Sequence, residues 1–206
     1  MDARNVVEKI IINGEDVTQD ISPYVESIRY EDVLSGQTDS LTLELSDRDK
    51  LFIKDWLPER GFTLHVTLTK KNWEGENKSE ELDLGTYEID ELEYGMPPRV
   101  MKLKACSCPQ NSALRQVDQS RSWENVKLSK IAKDIAEAAQ VELFYQTDED
   151  PEIKRVEQGE KSALNFLDEQ CRKYYLALKF ADNKIIILDE SELDKAEPAF
   201  TLKEEH

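Results

Sequence analysis

Near Ser107 the spacing of apolar residues changes from a period of two to a helical period, and that change limits what this chain can fold into. Before it, Phe62, Leu64, Val66 and Leu68 alternate with Thr63, His65, Thr67 and Thr69, and Leu41, Leu43 and Leu45 alternate with Thr42 and Glu44. Alternation of this kind buries one face of a strand and leaves the other in solvent. After it, Leu128, Ile131, Ala132, Ile135 and Ala139 recur at helical spacing. Ser162 can cap a second helix whose apolar stripe would be Leu164, Leu167, Cys171 and Tyr174.

Turn signals divide each part. Asn13-Gly14 ends a first strand at residues 6–12, and Glu59-Arg60-Gly61 precedes the alternating strand at 62–69. Further strands read at 25–30, 40–45, 84–94 and 100–106, with a polar hairpin tip at 72–81 and Pro97-Pro98 between the last two. Many short strands without a long helix predict an antiparallel sheet that closes or nearly closes into a barrel. Beyond Ser107, strands read at 141–145 and 153–157, and Asp182-Asn183 makes a two-residue turn between strands 177–180 and 185–188. The expected fold class is therefore α+β: an antiparallel β-barrel domain over residues 1–108, then a smaller α/β domain over 112–190. Residues 191–206 would begin a further segment or tail, with 198–202 a strand lacking its partner.

Charge removes several functions. The chain has 27 basic and 44 acidic side chains, a net charge of −17. The excess lies in both parts, not in a tail. Gripping a nucleic-acid backbone takes clustered Lys and Arg, which this field opposes. No apolar run approaches the roughly 20 residues that span a bilayer, and the start lacks the pattern of a secretory signal. Three cysteines, an odd number, argue against a disulfide framework and for folding in a reducing cytoplasm.

Candidate chemistry is sparse. His65 sits among threonines on a polar strand face, with no positioned partner for acid–base work. Cys106 and Cys108 share a strand face, but a structural zinc site needs four ligands. Asp148-Glu149-Asp150 lacks the spacing and central glycine of a calcium loop and reads as solvated. Glu88, Asp90 and Glu91 belong to an acidic set too abundant for a glycosidase pair to stand out. Trp56, Trp73 and Trp123 are dispersed and read as packing or interface anchors. No catalytic, metal or cofactor-binding residue is expected.

Several segments, in order, resemble one family. Leu43-Glu-Leu-Ser-Asp47 followed by Asp55-Trp-Leu-Pro-Glu-Arg-Gly61 is similar to a strand, turn and glycine entry of phage late control protein D and related baseplate hub proteins. Those relatives include the amino-terminal half of type VI secretion spike proteins. Leu84-Gly-Thr-Tyr-Glu-Ile-Asp-Glu91 resembles the family's next strand, with Tyr87 in its aromatic position, and Val100–Ala105 its successor. The stretch 121–136 resembles a Trp-led helix, and 158–188 a capped helix followed by a hairpin. The family's later helix usually has a charged lead where this chain has Gly159-Glu-Lys-Ser162, and hub members usually continue into a second tube-like barrel.

The resemblance implies a tail-tube-like barrel in a structural, non-enzymatic hub protein of a contractile phage tail or phage-like particle. Copies would form a ring, a trimer in the assembled hub, joining the tail tube to the spike and other baseplate proteins. DNA would pass through its lumen without specific binding, and no membrane is involved. The location would be the virion baseplate, reached from the host cytoplasm. Interface or lumen candidates are Glu88, Asp90, Glu91, Trp56 and Trp123. A tail-associated peptidoglycan hydrolase and a non-phage soluble binding module are the alternatives.

Overall fold

The computed structural model of the chain describes residues 3–35, 38–54, 56, 58–108, 113–115, 120–189, 191 and 195. The final segment expected at 191–206, with its strand at 198–202, lies outside the described residues except for 191 and 195. The first part is a seven-stranded antiparallel sheet in the order β2-β1-β5-β6-β7-β4-β3. Its strands are β1 (Asn5–Ile12), β2 (Glu15–Asp16), β3 (Val25–Glu31), β4 (Ser40–Ser46), β5 (Thr63–Lys71), β6 (Ser79–Gly95) and β7 (Val100–Cys106). Asn13 and Gly14 take φ of 51° and 83°, the left-handed pair that a two-residue hairpin requires.

The expected barrel is not closed. The outermost strands, β2 and β3, do not pair with each other. The physical reason is the short β2, after which the chain turns into helix α1 (Thr18–Ile21) and a 3-10 turn at Ser22–Tyr24 before starting β3. That short connection joins the two edges of the sheet, so the sheet must curl for residues 17–24 to reach. Side chains occupy the seam where a ladder would have closed it. Ile21 is fully buried in the same core as Ile10, Leu41, Leu43, Leu64, Val66, Ile89 and Leu103.

Asp47 fastens the end of β4. It is wholly buried, and its carboxylate accepts from Tyr94 Oη at 2.9 Å and from Phe52 N–H at 3.2 Å. These bonds draw helix α2 (Leu51–Lys54) onto the sheet. Burial, then its hydrogen bond to Asp47, pushes the Tyr94 hydroxyl above its ordinary pKa.

The second core is built from β8 (Ser122–Lys127), α3 (Leu128–Ala139), β9 (Glu142–Gln146), β10 (Glu152–Glu157), α4 (Ala163–Lys173), β11 (Leu176–Ala181) and β12 (Lys184–Asp189). β8 and β10 form an antiparallel pair, while β11-β12-β9 form a three-stranded sheet in which β9 runs parallel to β12. A parallel pair needs a crossover, here the long path from β9 through β10 and α4.

Two expectations change here. The segment led by Trp123 is a strand, with Trp123 opposite Val156 of β10, and the helix starts only at Leu128. In α4 the buried stripe is Ala163, Phe166, Leu167, Gln170 and Cys171, whereas Leu164 is half-buried and Tyr174 lies exposed at the helix end. Ser162 caps that helix as expected, accepting from Asn165 N–H at 3.3 Å. α3 has no cap from its preceding residue, Lys127. Asp150 replaces it from the β9–β10 loop, accepting from Ser129 N–H at 3.0 Å and Ser129 Oγ at 2.6 Å. The acidic loop read as solvated thus contributes a helix cap.

Candidate assembly interface

The strands β3, β4, β7 and β6 present one polar face, and two irregularities in β6 shape it. β6 is 17 residues long. Its register against β5 shifts where His65 pairs with Thr86 and Thr67 with Asp83. Gly85 sits in that shift at φ +90°, a conformation that side chains resist. A second shift occurs against β7, where Ile89 pairs with Ala105 but Glu91 with Lys104. Each extra residue reverses the in–out parity. Tyr87 and Ile89 point into the core before the second shift, and Leu92 and Tyr94 pack against it afterwards. Glu88, Asp90, Glu91 and Glu93 are thereby left to the polar side.

Cross-strand rows make the face a charge lattice. One row is Ser27, Glu44, Lys102 and Glu93; the next is Arg29, Thr42, Lys104 and Glu91; the third is Glu31, Ser40, Cys106 and Glu88. Lys104 Nζ bridges Glu93 at 2.6 Å and Glu91 at 3.1 Å, and Lys102 pairs with Glu44. The Lys104 ammonium holds the Glu93 carboxyl below the usual carboxylate range, and Lys102 does the same to Glu44. Acidic groups outnumber basic ones across these rows. A trough of about 760 Å³ runs over them.

At one end of the trough Arg115 Nη1 lies 3.8 Å from Asp90 and donates to Cys106 Sγ at 3.2 Å and to the Cys108 carbonyl at 3.0 Å. Burial pushes the Cys106 thiol up to about 12. His65 stands farther along the polar side, its Nδ1 3.1 Å from Thr86 Oγ1 and its Nε2 3.4 Å from Asp83.

The two tryptophans expected at interfaces differ. Trp56 is half-buried, edge-on to Phe52 at 5.4 Å, and with Ile12, Val17, Pro58 and Phe62 it lines a depression of about 350 Å³. Trp123 is only 8% exposed and makes its contacts inside the second core of its own chain. Glu88, Asp90 and Glu91 lie on the same polar side, with Lys104 and Arg115, which the sequence did not single out, pairing with Glu91 and Asp90. Cross-strand pairing could have revealed Lys102 and Lys104 only with the register of β6 in hand.

Among the described residues 49% are in strand and 19% in helix, so the fold is α+β, of the kind seen in tail proteins. It aligns over 89% of its length with the 43 kDa tail protein of prophage MuSo2 from Shewanella oneidensis, at a TM-score of 0.58 and 14% identity, covering 54% of that chain. It aligns equally far with the tail protein from Neisseria meningitidis MC58, at a TM-score of 0.59 and 12% identity, covering 50% of that chain. A chain of the Francisella PdpA-VgrG complex matches over 94% of this chain and 33% of its own, at a TM-score of 0.54 and 13% identity. In sequence, the chain is 28% identical over 127 residues to the "Probable baseplate hub protein" of Escherichia phage 186. That match covers 62% of this chain and 30% of the phage protein. No protein-family model matches the chain. It therefore spans about half the length of the tail proteins it resembles and under a third of its sequence relative.

Proposed function

We propose that this chain is a structural baseplate hub component of a phage tail or phage-like particle, without catalytic activity. The observation that carries this reading is the agreement of two independent likenesses. The fold matches tail proteins across 89% of the chain, and the sequence match is to a baseplate hub protein.

In this role the curled sheet of residues 1–108 joins copies of itself into a ring, a trimer in the hub, between tail tube and spike. The unit at 112–190 packs beside it. The face bearing Glu88, Asp90 and Glu91 turns to the bore, where excess negative charge keeps DNA from sticking, since cationic walls would release counterions and hold it. Trp56 and its depression suit contact with a neighbouring baseplate protein. The protein is made in the host cytoplasm and leaves in the virion.

The test is disruption of the gene in its host phage or prophage. Electron microscopy is expected to show tubes or sheaths without a joined baseplate, with intact tails returning on complementation. Normal, infective tails in the disrupted strain overturn the reading. Clearing of cell-wall material by the purified chain in a zymogram would replace it with a hydrolase.

A further inference from the structure

We propose that Lys179 is a positioning residue that sets the angle between the two cores. Lys179 lies on β11, between Leu178 and Phe180, which face the second core. Its own side chain points the other way. The ammonium ion-pairs with Asp39 Oδ2 at 3.2 Å and with Asp32, both in the connection between β3 and β4 of the first sheet.

Asp39 is only 3% exposed. Its second carboxylate oxygen accepts from Val33 N–H at 2.9 Å, and its carbonyl accepts from Ser107 N–H at 3.0 Å. Ser107 Oγ then donates to the Phe180 carbonyl at 2.9 Å. So adjacent residues of β11 are each held by the first sheet, one by charge and one by hydrogen bond. The β11–β12 turn adds a third point. Asp182 Oδ1 and the Tyr87 hydroxyl lie 3.9 Å and 3.8 Å from where a Cβ on Gly85 would sit.

The charge pair differs in kind from the other contacts. Apolar surfaces tolerate sliding. A buried carboxylate that loses its cation is left uncompensated, and that is costly. Rotation of the hairpin away from β4 would separate Lys179 from Asp39 and meet that cost at once. Burial alone would lower the Lys179 pKa, but Asp32 and Asp39 outweigh it and raise it, so the ammonium stays charged. Among the described residues, Tyr30, Tyr87 and Asp182 are further titratable groups near the pair. The inference rests on this junction alone and holds whether or not the chain is a hub.

The test measures a distance across the junction. The native cysteines are buried, so spin labels attach at cysteines introduced for exposed Lys9 and Glu160. Double electron–electron resonance is expected to give one narrow distance peak. Lys179→Met should lose that peak to a broad distribution, and Lys179→Met with Asp39→Asn, which leaves no buried charge to destabilise the fold, should stay broad. A Lys179→Met distribution as narrow as the parent's overturns the proposal. If Lys179→Met does not fold, the double variant decides. Folding with a broad peak supports the proposal, and a narrow peak or failure to fold overturns it.

Discussion

Trp123 lies flat on Phe166, with ring centroids 5.4 Å apart and planes 11° from parallel. Its indole N–H also donates to Asp134 Oδ2 at 3.1 Å. One side chain from β8 therefore holds both helices of the second core, α4 by stacking and α3 by a hydrogen bond. Trp123→Ala should cost about 3–5 kcal/mol through the cavity and the lost stack. Trp123→Phe keeps a ring on Phe166 and loses the donor, for about 1–2 kcal/mol. Urea unfolding followed by far-ultraviolet circular dichroism gives both values. Equal losses would show that the hydrogen bond, not the stack, dominates.

Gly85 should resist substitution for a backbone reason. Its φ is +90°, while a Cβ there would meet only ordinary contacts at 3.7–3.9 Å. The cost of Gly85→Ala is then conformational strain, about 1–2 kcal/mol. Gly95 sits in the same strand without a positive φ, so Gly95→Ala should stay within about 0.5 kcal/mol. Thermal melts of the two variants check this pair, and equal melting temperatures would contradict it.

Acid sensitivity should pass through Asp134. Burial raises its pKa, but Lys130 and the Trp123 N–H more than offset that and leave it below the ordinary carboxylate value. A carboxyl with a depressed folded pKa contributes stability above its unfolded value, about 3.9, and loses it as pH falls through the folded value. Asp134→Asn should therefore be less stable than the parent at neutral pH, with the gap closing in acid. A gap independent of pH between neutrality and the acid limb would rule this out.

The thiols should be silent in the folded protein. Burial pushes Cys106 and Cys171 up to about 12, and Cys108 is fully buried. Since the thiolate is the reacting species, Ellman's reagent at pH 8 should titrate no thiol until denaturant is added. Prompt reaction of even one thiol in native protein would contradict the burial described here. Cys106→Ser and His65→Ala should likewise leave assembly unchanged beyond any loss of stability.

Local signals were readable in the sequence because they depend on neighbours along the chain. The Asn13-Gly14 turn, the alternation at 62–69, the Ser162 cap and the Asp182-Asn183 turn, with φ of 49° and 58°, all have local causes. What the sequence concealed depends on partners far along it. Ser122–Lys127 is extended because β10 pairs with it, although the family resemblance put Trp123 at the head of a helix. The two register shifts in β6 arise from its pairing with β5 and β7, and alternation cannot be followed through them. Closure of the sheet could not be judged from strand count, because it turns on how short β2 is. Glu88, Asp90 and Glu91 are neighbours in sequence, whereas Lys104 and Arg115, which pair with Glu91 and Asp90, lie on other segments.

The most direct test of a hub role is a cryo-electron microscopy map of an assembled tail that carries this chain. The hub reading predicts density for the seven-stranded sheet in a ring where tube meets spike, with Glu88, Asp90 and Glu91 facing a net acidic bore. A tail tip without this fold contradicts that role, and an uncharged or basic bore contradicts the assignment of the acidic face.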